Sequence, residues 1–185
     1  DESVGRIRSK LEELGVAGHT ALVFMSDNGG LSTSEGSPTS NVPLRGGKGW
    51  LYEGGIREPM IVYWPGVTRQ GSVCGEPVIS NDFYPTMLEM AGLSSRGSQH
   101  VDGISLVSLL EGRGNAVERP LFWHFPHYGN QGGLPGAAVR LGDFKLIEFF
   151  EDGGVELYDL KKDLSEQNNL ARAMPVMADE RLELL

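Results

Sequence analysis

An apolar run, Ala21-Leu22-Val23-Phe24-Met25, stops abruptly at Ser26-Asp27-Asn28-Gly29-Gly30. The run is short, rich in strand-forming residues and free of polar alternation, which is the pattern of a strand covered on both faces, as in a parallel sheet. Ligands of open α/β sheets gather where strands end at their carboxyl edge, so chemistry is expected in the residues that follow. Asp27 offers a carboxylate and Asn28 an amide carbonyl, two hard oxygen donors side by side, and two glycines then let the backbone turn. Such donors suit calcium or magnesium better than zinc, which asks for His or Cys. Arg45-Gly46-Gly47-Lys48-Gly49 places cations among glycines, where N–H groups and an ammonium would receive a tetrahedral oxyanion. Taken alone, each of these pieces is also ordinary turn sequence.

Their order is more specific than the pieces. Ser26 to Gly30 is followed by Asn41-Val42-Pro43-Leu44-Arg45-Gly46-Gly47-Lys48-Gly49 and by Tyr52-Glu53-Gly54-Gly55-Ile56-Arg57-Glu58-Pro59. Trp64-Pro65-Gly66, Asp82-Phe83-Tyr84-Pro85-Thr86, Ala91-Gly92-Leu93 and Asp102-Gly103-Ile104-Ser105-Leu106 continue the series. Over most of its length the chain resembles the type I sulfatase family of the alkaline phosphatase superfamily. The resemblance implies that Asp27 and Asn28 ligate calcium, magnesium being the lesser candidate, and that Lys48 contacts the sulfate group as a catalytic cation. Arg57 then braces the loop that carries Lys48, and Arg45 is open to either job. The family's nucleophile is a formylglycine made from the cysteine of Cys-x-Pro-x-Arg. Here the lone cysteine, Cys74, stands before Gly75-Glu76-Pro77-Val78, with proline one place late and valine where arginine belongs; it reads as a small structural thiol.

On this resemblance the chain is expected to be the carboxyl-terminal part of a sulfatase, inactive by itself, completed by a missing amino-terminal part and acting on a sulfate ester of a carbohydrate. A periplasmic or secreted location is implied in the same way. Two other readings stay open: a non-catalytic module that binds calcium or a sulfated glycan, and a phosphoester or phosphonate hydrolase of the same superfamily. The net charge of −9 argues against nucleic acid as a partner. It would also oppose an anionic polymer, so Arg45, Lys48 and Arg57 would have to act locally. One cysteine excludes an internal disulfide framework. No apolar run approaches the ~20 residues of a membrane span, and no signal peptide is seen, which is uninformative if the true amino terminus lies upstream.

Along the chain, Val4, Ile7, Leu11 and Leu14 recur at helical spacing and Gly15 is placed to end that helix. Met60 to Trp64 reads as a second buried strand, and Glu76 to Ser80 as a short one. Asn81 or Asp82 caps a helix through Met90, with Met87 and Met90 in its core; Asp82 is a cap first and a ligand second. Ser105 to Leu110 is a further short helix. Beyond about Asn115 four β-prone runs follow: 120–125, 137–141, 144–150 and 155–160, with Asp152-Gly153-Gly154 as a hairpin turn. Met174 to Leu185 supplies a last helix. The fold class is therefore α/β: part of a sulfatase-type sheet domain over 1–114, then a small antiparallel sheet with a carboxyl-terminal helix over 115–185. His124 and His127 flank a proline and lack the further ligands of a zinc site. With Tyr128 they are candidates to line a sugar pocket, or a hydrogen-bonded loop.

Overall fold

The computed structural model describes residues 1–114 and 117–185. In chain order its elements are α1 (Glu2–Glu13), β1 (Leu22–Met25), α2 (Glu53–Ile56), β2 (Met60–Tyr63), α3 (Phe83–Met90), α4 (Val107–Leu110), β3 (Leu121–Phe125), β4 (Gly136–Leu141), β5 (Phe144–Phe149), β6 (Val155–Asp159) and α5 (Pro175–Leu182). Two compact units form, each from two stretches of chain: Asp1–Phe24 with Met60–Val117, and Met25–Pro59 with Glu118–Leu185. They differ from the linear division at residue 115 in one respect, that Met25–Pro59 belongs with the second unit. No helix among the described residues is long and apolar enough to cross a membrane.

In the first unit, α1 ends before Gly15, whose φ of +70° is the left-handed conformation a glycine accepts at a helix stop. β1 and β2 are neighbours in a two-stranded sheet. The expectation that both strands are covered on both faces fails: Val23, Phe24, Met25, Ile61 and Tyr63 are exposed. Local apolarity marks a strand, but burial needs further strands and helices above and below it, and among the described residues these two strands have only each other in their sheet. Glu76 to Ile79 is irregular, and Ser80–Asp82 forms a 3₁₀ turn in place of a strand end. The Asp82 carboxylate is buried and accepts from the Ile79 amide at 2.9 Å and the Ile104 amide at 3.0 Å. It therefore ties the residue before the 3₁₀ turn to the segment before α4, whereas the expected side-chain cap on α3 is not formed. Met87 is exposed rather than core, because α3 buries the side carrying Pro85 and Thr86.

In the second unit β3, β4, β5 and β6 form an antiparallel meander in that order. Its register aligns Trp123 with Ala138, Ala138 with Ile147 and Ile147 with Glu156. Side chains alternate between faces along a strand, and the two faces have different covers. Val139, Leu146 and Leu157 pack with Ala178 of α5, and Leu170 and Met174 close the same cluster. On the opposite face Ala138, Ile147 and Tyr158 pack with Leu51, Tyr52 and Leu160. The segment after Lys48 is thus one layer of the sheet's core. Asp152 Oδ1 accepts from the Gly154 amide at 2.8 Å and Gly153 takes φ +68°, which forms the turn between β5 and β6.

Lys145 lies between Phe144 and Leu146 and so points to the face that Leu51 and Tyr52 cover. It is fully buried. Its ammonium meets the Leu51 carbonyl oxygen at 3.0 Å, Glu53 Oε1 at 2.9 Å and Glu166 Oε1 at 2.6 Å. Glu166 Oε2 accepts the Glu53 backbone N–H at 2.6 Å. Glu166 adopts φ +52°, a conformation that costs a non-glycine residue about 1–3 kcal/mol and persists where surrounding bonds impose it. Next to this cluster Arg45 lies over the Tyr52 ring, 3.8 Å from its centroid, and donates to Tyr158 Oη and the Glu166 carbonyl, both at 2.9 Å. The phenols of Tyr52 and Tyr158 each donate to Glu156 Oε2 at 2.8 Å. Burial, and then the bond to Glu156, raises both phenols above the ordinary tyrosine value.

Two outcomes follow from this packing. Lys145→Met leaves two buried carboxylates without their cation and should lower stability by about 3–5 kcal/mol, read from urea unfolding. The raised phenols bind protons more tightly folded than unfolded, so their contribution is complete below the unfolded value of about 10 and is lost as pH climbs beyond it. The urea midpoint should hold up to about pH 9 and fall as pH rises beyond about 10, and a Tyr52→Phe/Tyr158→Phe variant should fall less steeply over that range.

Candidate active site

Where β1 ends, Ser26 Oγ donates to the Asn28 carbonyl at 2.8 Å and Asn28 Nδ2 donates to Asp27 Oδ2 at 2.6 Å. Two oxygen-bearing side chains are thereby held together at the strand end. Glu58 adds a second acid nearby: its burial, and then the charge of Asp27, raises its carboxyl above the usual range. Its Oε1 is buried without a hydrogen bond. A carboxylate, a neighbouring amide and an unpaired buried carboxyl oxygen form a hard-oxygen environment that a cation would complete, so these residues fit calcium. They are part of a donor set only. Calcium takes six to eight oxygens, and no group of three or more His, Cys, Asp or Glu gathers as a metal site among the described residues.

The glycine pairs explain how the Lys48 segment reaches that strand end. The Gly29 amide donates to the Gly55 carbonyl at 3.0 Å, and a Cβ on Gly29 would overlap the Gly54 oxygen. A Cβ on Gly47 would stand 2.5 Å from the Gly30 oxygen. Backbone packs on backbone with no space for a side chain. In the same junction the Lys48 amide donates to the Gly30 carbonyl at 3.2 Å, so Lys48 starts from a point fixed beside Asp27-Asn28-Gly29-Gly30. Asn41 holds the junction from within. Its Nδ2 donates to the Gly30 carbonyl at 2.8 Å, Ser32 Oγ at 3.0 Å and the Gly46 carbonyl at 3.1 Å, and its Oδ1 accepts from the Gly30 amide at 3.1 Å. Sequence reasoning gave Asn41 no role. Its position before Val42-Pro43, in a loop that must return to a glycine pair, was the available signal.

The three cations separate in function. Arg45 is committed to Tyr52, Tyr158 and Glu166, and Arg57 reaches Glu53 Oε2 at 3.5 Å. Lys48 is exposed, and its ammonium has no hydrogen bond or ion pair among the described residues. Beside it, Trp50 stacks on Tyr52 with centroids 5.8 Å apart, and its indole N–H donates to the Gln131 carbonyl at 2.9 Å.

His124, His127 and Tyr128 lie elsewhere in the unit. The His124 ring meets Phe150, the His127 ring meets Phe125 edge-on, each at 5.6 Å, and Tyr128 Oη donates to Glu151 at 3.1 Å. No hydrogen bond, ion pair or ring contact joins any of the three to Asp27, Asn28 or Lys48 among the described residues. The residues just after them do reach the Lys48 segment: Thr33 Oγ1 donates to the Gln131 carbonyl at 2.9 Å, and Asn130 Nδ2 donates to Glu35 Oε1 at 2.6 Å. Cys74 is free and exposed.

Comparison with known proteins identifies the family. The family described as N-sulphoglucosamine sulphohydrolase, C-terminal, matches residues 47–181. A sulfatase of Formosa agariphila is 40% identical over 95% of this chain and 34% of its own length. The N-acetylgalactosamine-6-sulfatase of Mus musculus is 36% identical over the whole chain and 34% of its own length. A solved structure in complex with its substrate D-glucosamine-2-N,6-O-disulfate superposes with a TM-score of 0.78 at 26% identity, covering all of this chain and 37% of that one. The chain spans about a third of the length of the relatives it matches. With the sheet, the carboxyl-terminal helix and the family match in agreement, this chain belongs to the sulfatase family and corresponds to its carboxyl-terminal region.

Proposed function

We propose that this chain is the anion-holding part of a longer enzyme that hydrolyses sulfate esters of carbohydrates. The observation that supports the reading is the backbone bond from Lys48 to Gly30, which fixes the Lys48 backbone two residues beyond the Asp27–Asn28 pair, together with an ammonium that has no partner among the described residues. The names of the relatives and the sulfated sugar bound in the similar structure support sulfate over other anions.

Asp27 and Asn28 would hold calcium through a carboxylate and an amide carbonyl oxygen. When bound, calcium supplies positive charge to a sulfate oxygen. Lys48 holds a second sulfate oxygen and donates hydrogen bonds to it as negative charge grows on breaking the S–O bond. Gly29, Gly30, Gly47 and Asn41 keep the Lys48 backbone in register with the strand end, which limits the positions its side chain can reach. The nucleophile implied by the family resemblance, a formylglycine, lies outside these residues. The reading carries with it the expectation that the isolated chain is inactive.

Assay of the full-length protein tests this. Sulfate release from a sulfated hexosamine oligosaccharide should exceed phosphate release from the matching phosphate ester. Lys48→Ala should lower kcat/KM for the sulfate ester about 10²–10³-fold, as loss of one charge-stabilising donor does. Chelation should remove activity and calcium restore it, with Asp27→Ala weakening calcium binding measured by calorimetry. Unchanged turnover in Lys48→Ala, or preference for the phosphate ester, would overturn the reading.

A further inference from the structure

The loop from Gly129 to Pro135 is pinned by residues that lie on both sides of Lys48 in the sequence. Before the lysine, Thr33 donates to the Gln131 carbonyl and Glu35 receives the Asn130 amide. After it, Trp50 donates to the same Gln131 carbonyl at 2.9 Å. Gly133 approaches so closely that a Cβ there would overlap the Gly49 oxygen, and a Cβ on Gly132 would lie 3.3 Å from the Trp50 ring. The loop's own turn closes through the Gly132 amide to the Gly129 carbonyl at 3.1 Å.

With the Gln131 backbone fixed in this way, its side chain lies across Gly49. A Cβ on Gly49 would stand 3.0 Å from Gln131 Cβ and 3.4 Å from its Oε1. Gly49, at φ +85°, is the residue next to Lys48. The Gln131 carbonyl carries two bonds, yet its side-chain carboxamide makes none among the described residues. A half-buried amide lying against Gly49, the residue that follows the proposed sulfate-binding lysine, with donors and acceptor unspent among the described residues, is suited to a neutral polar group of the substrate. On a sugar sulfate the neutral polar groups beside the esterified position are ring hydroxyls or an acylamino group. Being uncharged, Gln131 adds little attraction for sulfate and so bears on which sugar is accepted.

We propose that Gln131 is a specificity-determining residue, hydrogen-bonding a hydroxyl or amide of the sugar next to the sulfate that Lys48 holds. The inference rests on the sulfatase reading above. The test compares full-length wild type with Gln131→Ala on a sulfated hexosamine and on a simple aryl sulfate, which has no neighbouring hydroxyl. The ratio of kcat/KM for sugar over aryl sulfate should fall about tenfold, the loss of one hydrogen bond, and mainly through KM. Equal loss on both substrates, or no change in the ratio, would overturn the assignment, since a merely structural role weakens both alike. Failure of wild type to release sulfate from either substrate would instead sink the reading beneath it.

Discussion

A buried ammonium is expensive to take out of water, and Lys145 is fully enclosed. Its location follows from strand geometry: flanked by Phe144 and Leu146, it must face the layer that holds Leu51 and Tyr52. The structure offsets the desolvation with three oxygen partners at 2.6 to 3.0 Å. Two come from the stretch after Lys48 and one from Glu166, which takes a left-handed backbone conformation as it does so. A single side chain in β5 thereby joins the glycine-rich segment, the sheet and the chain beyond β6. Leu51 and Tyr52 then contribute core on the same face, each worth on the order of 1.5–3 kcal/mol of burial.

The glycine junction translates that anchoring into position. Because Gly29, Gly47, Gly54 and Gly55 bring backbones into direct contact, the loops they belong to have little freedom to slide. Lys48 inherits its place from this contact and from the Asn41 amide, which bonds much as a peptide group would. The distribution of positive charge also becomes clear. An acidic chain meeting an anionic substrate needs local cations, and of Arg45, Lys48 and Arg57 two are taken up by internal partners. Lys48 retains an unpaired head among the described residues.

Much of the scaffold could be read in advance. The four strands of the meander and α5 lie within a few residues of the runs that suggested them, since alternating apolar residues, an Asp-Gly-Gly turn and a terminal amphipathic stretch are local signals. Burial of β1 was not legible, because an apolar run says what a strand tolerates and nothing about how many neighbours cover it. Glu76 to Ile79 shows the same limit, having strand composition but no partner. In the site, Asp27, Asn28 and Lys48 stood out as residue types in an ordered series. Lys145 and Glu166 did not: a lysine in a strand reads as a solvent-facing residue, and its partner Glu53 is 92 positions away.

The sequence alone determined most of the elements and the family, because turn chemistry, strand periodicity and an ordered set of glycine, acid and lysine residues are encoded over short distances. Only the tertiary structure decided which charges are spent and which remain available. Arg45 and Arg57 became internal braces, Lys145 a buried anchor and Gln131 a neighbour of Lys48. Those outcomes depend on contacts between residues far apart in the chain, where desolvation and hydrogen-bond geometry choose among side chains that look alike in a list.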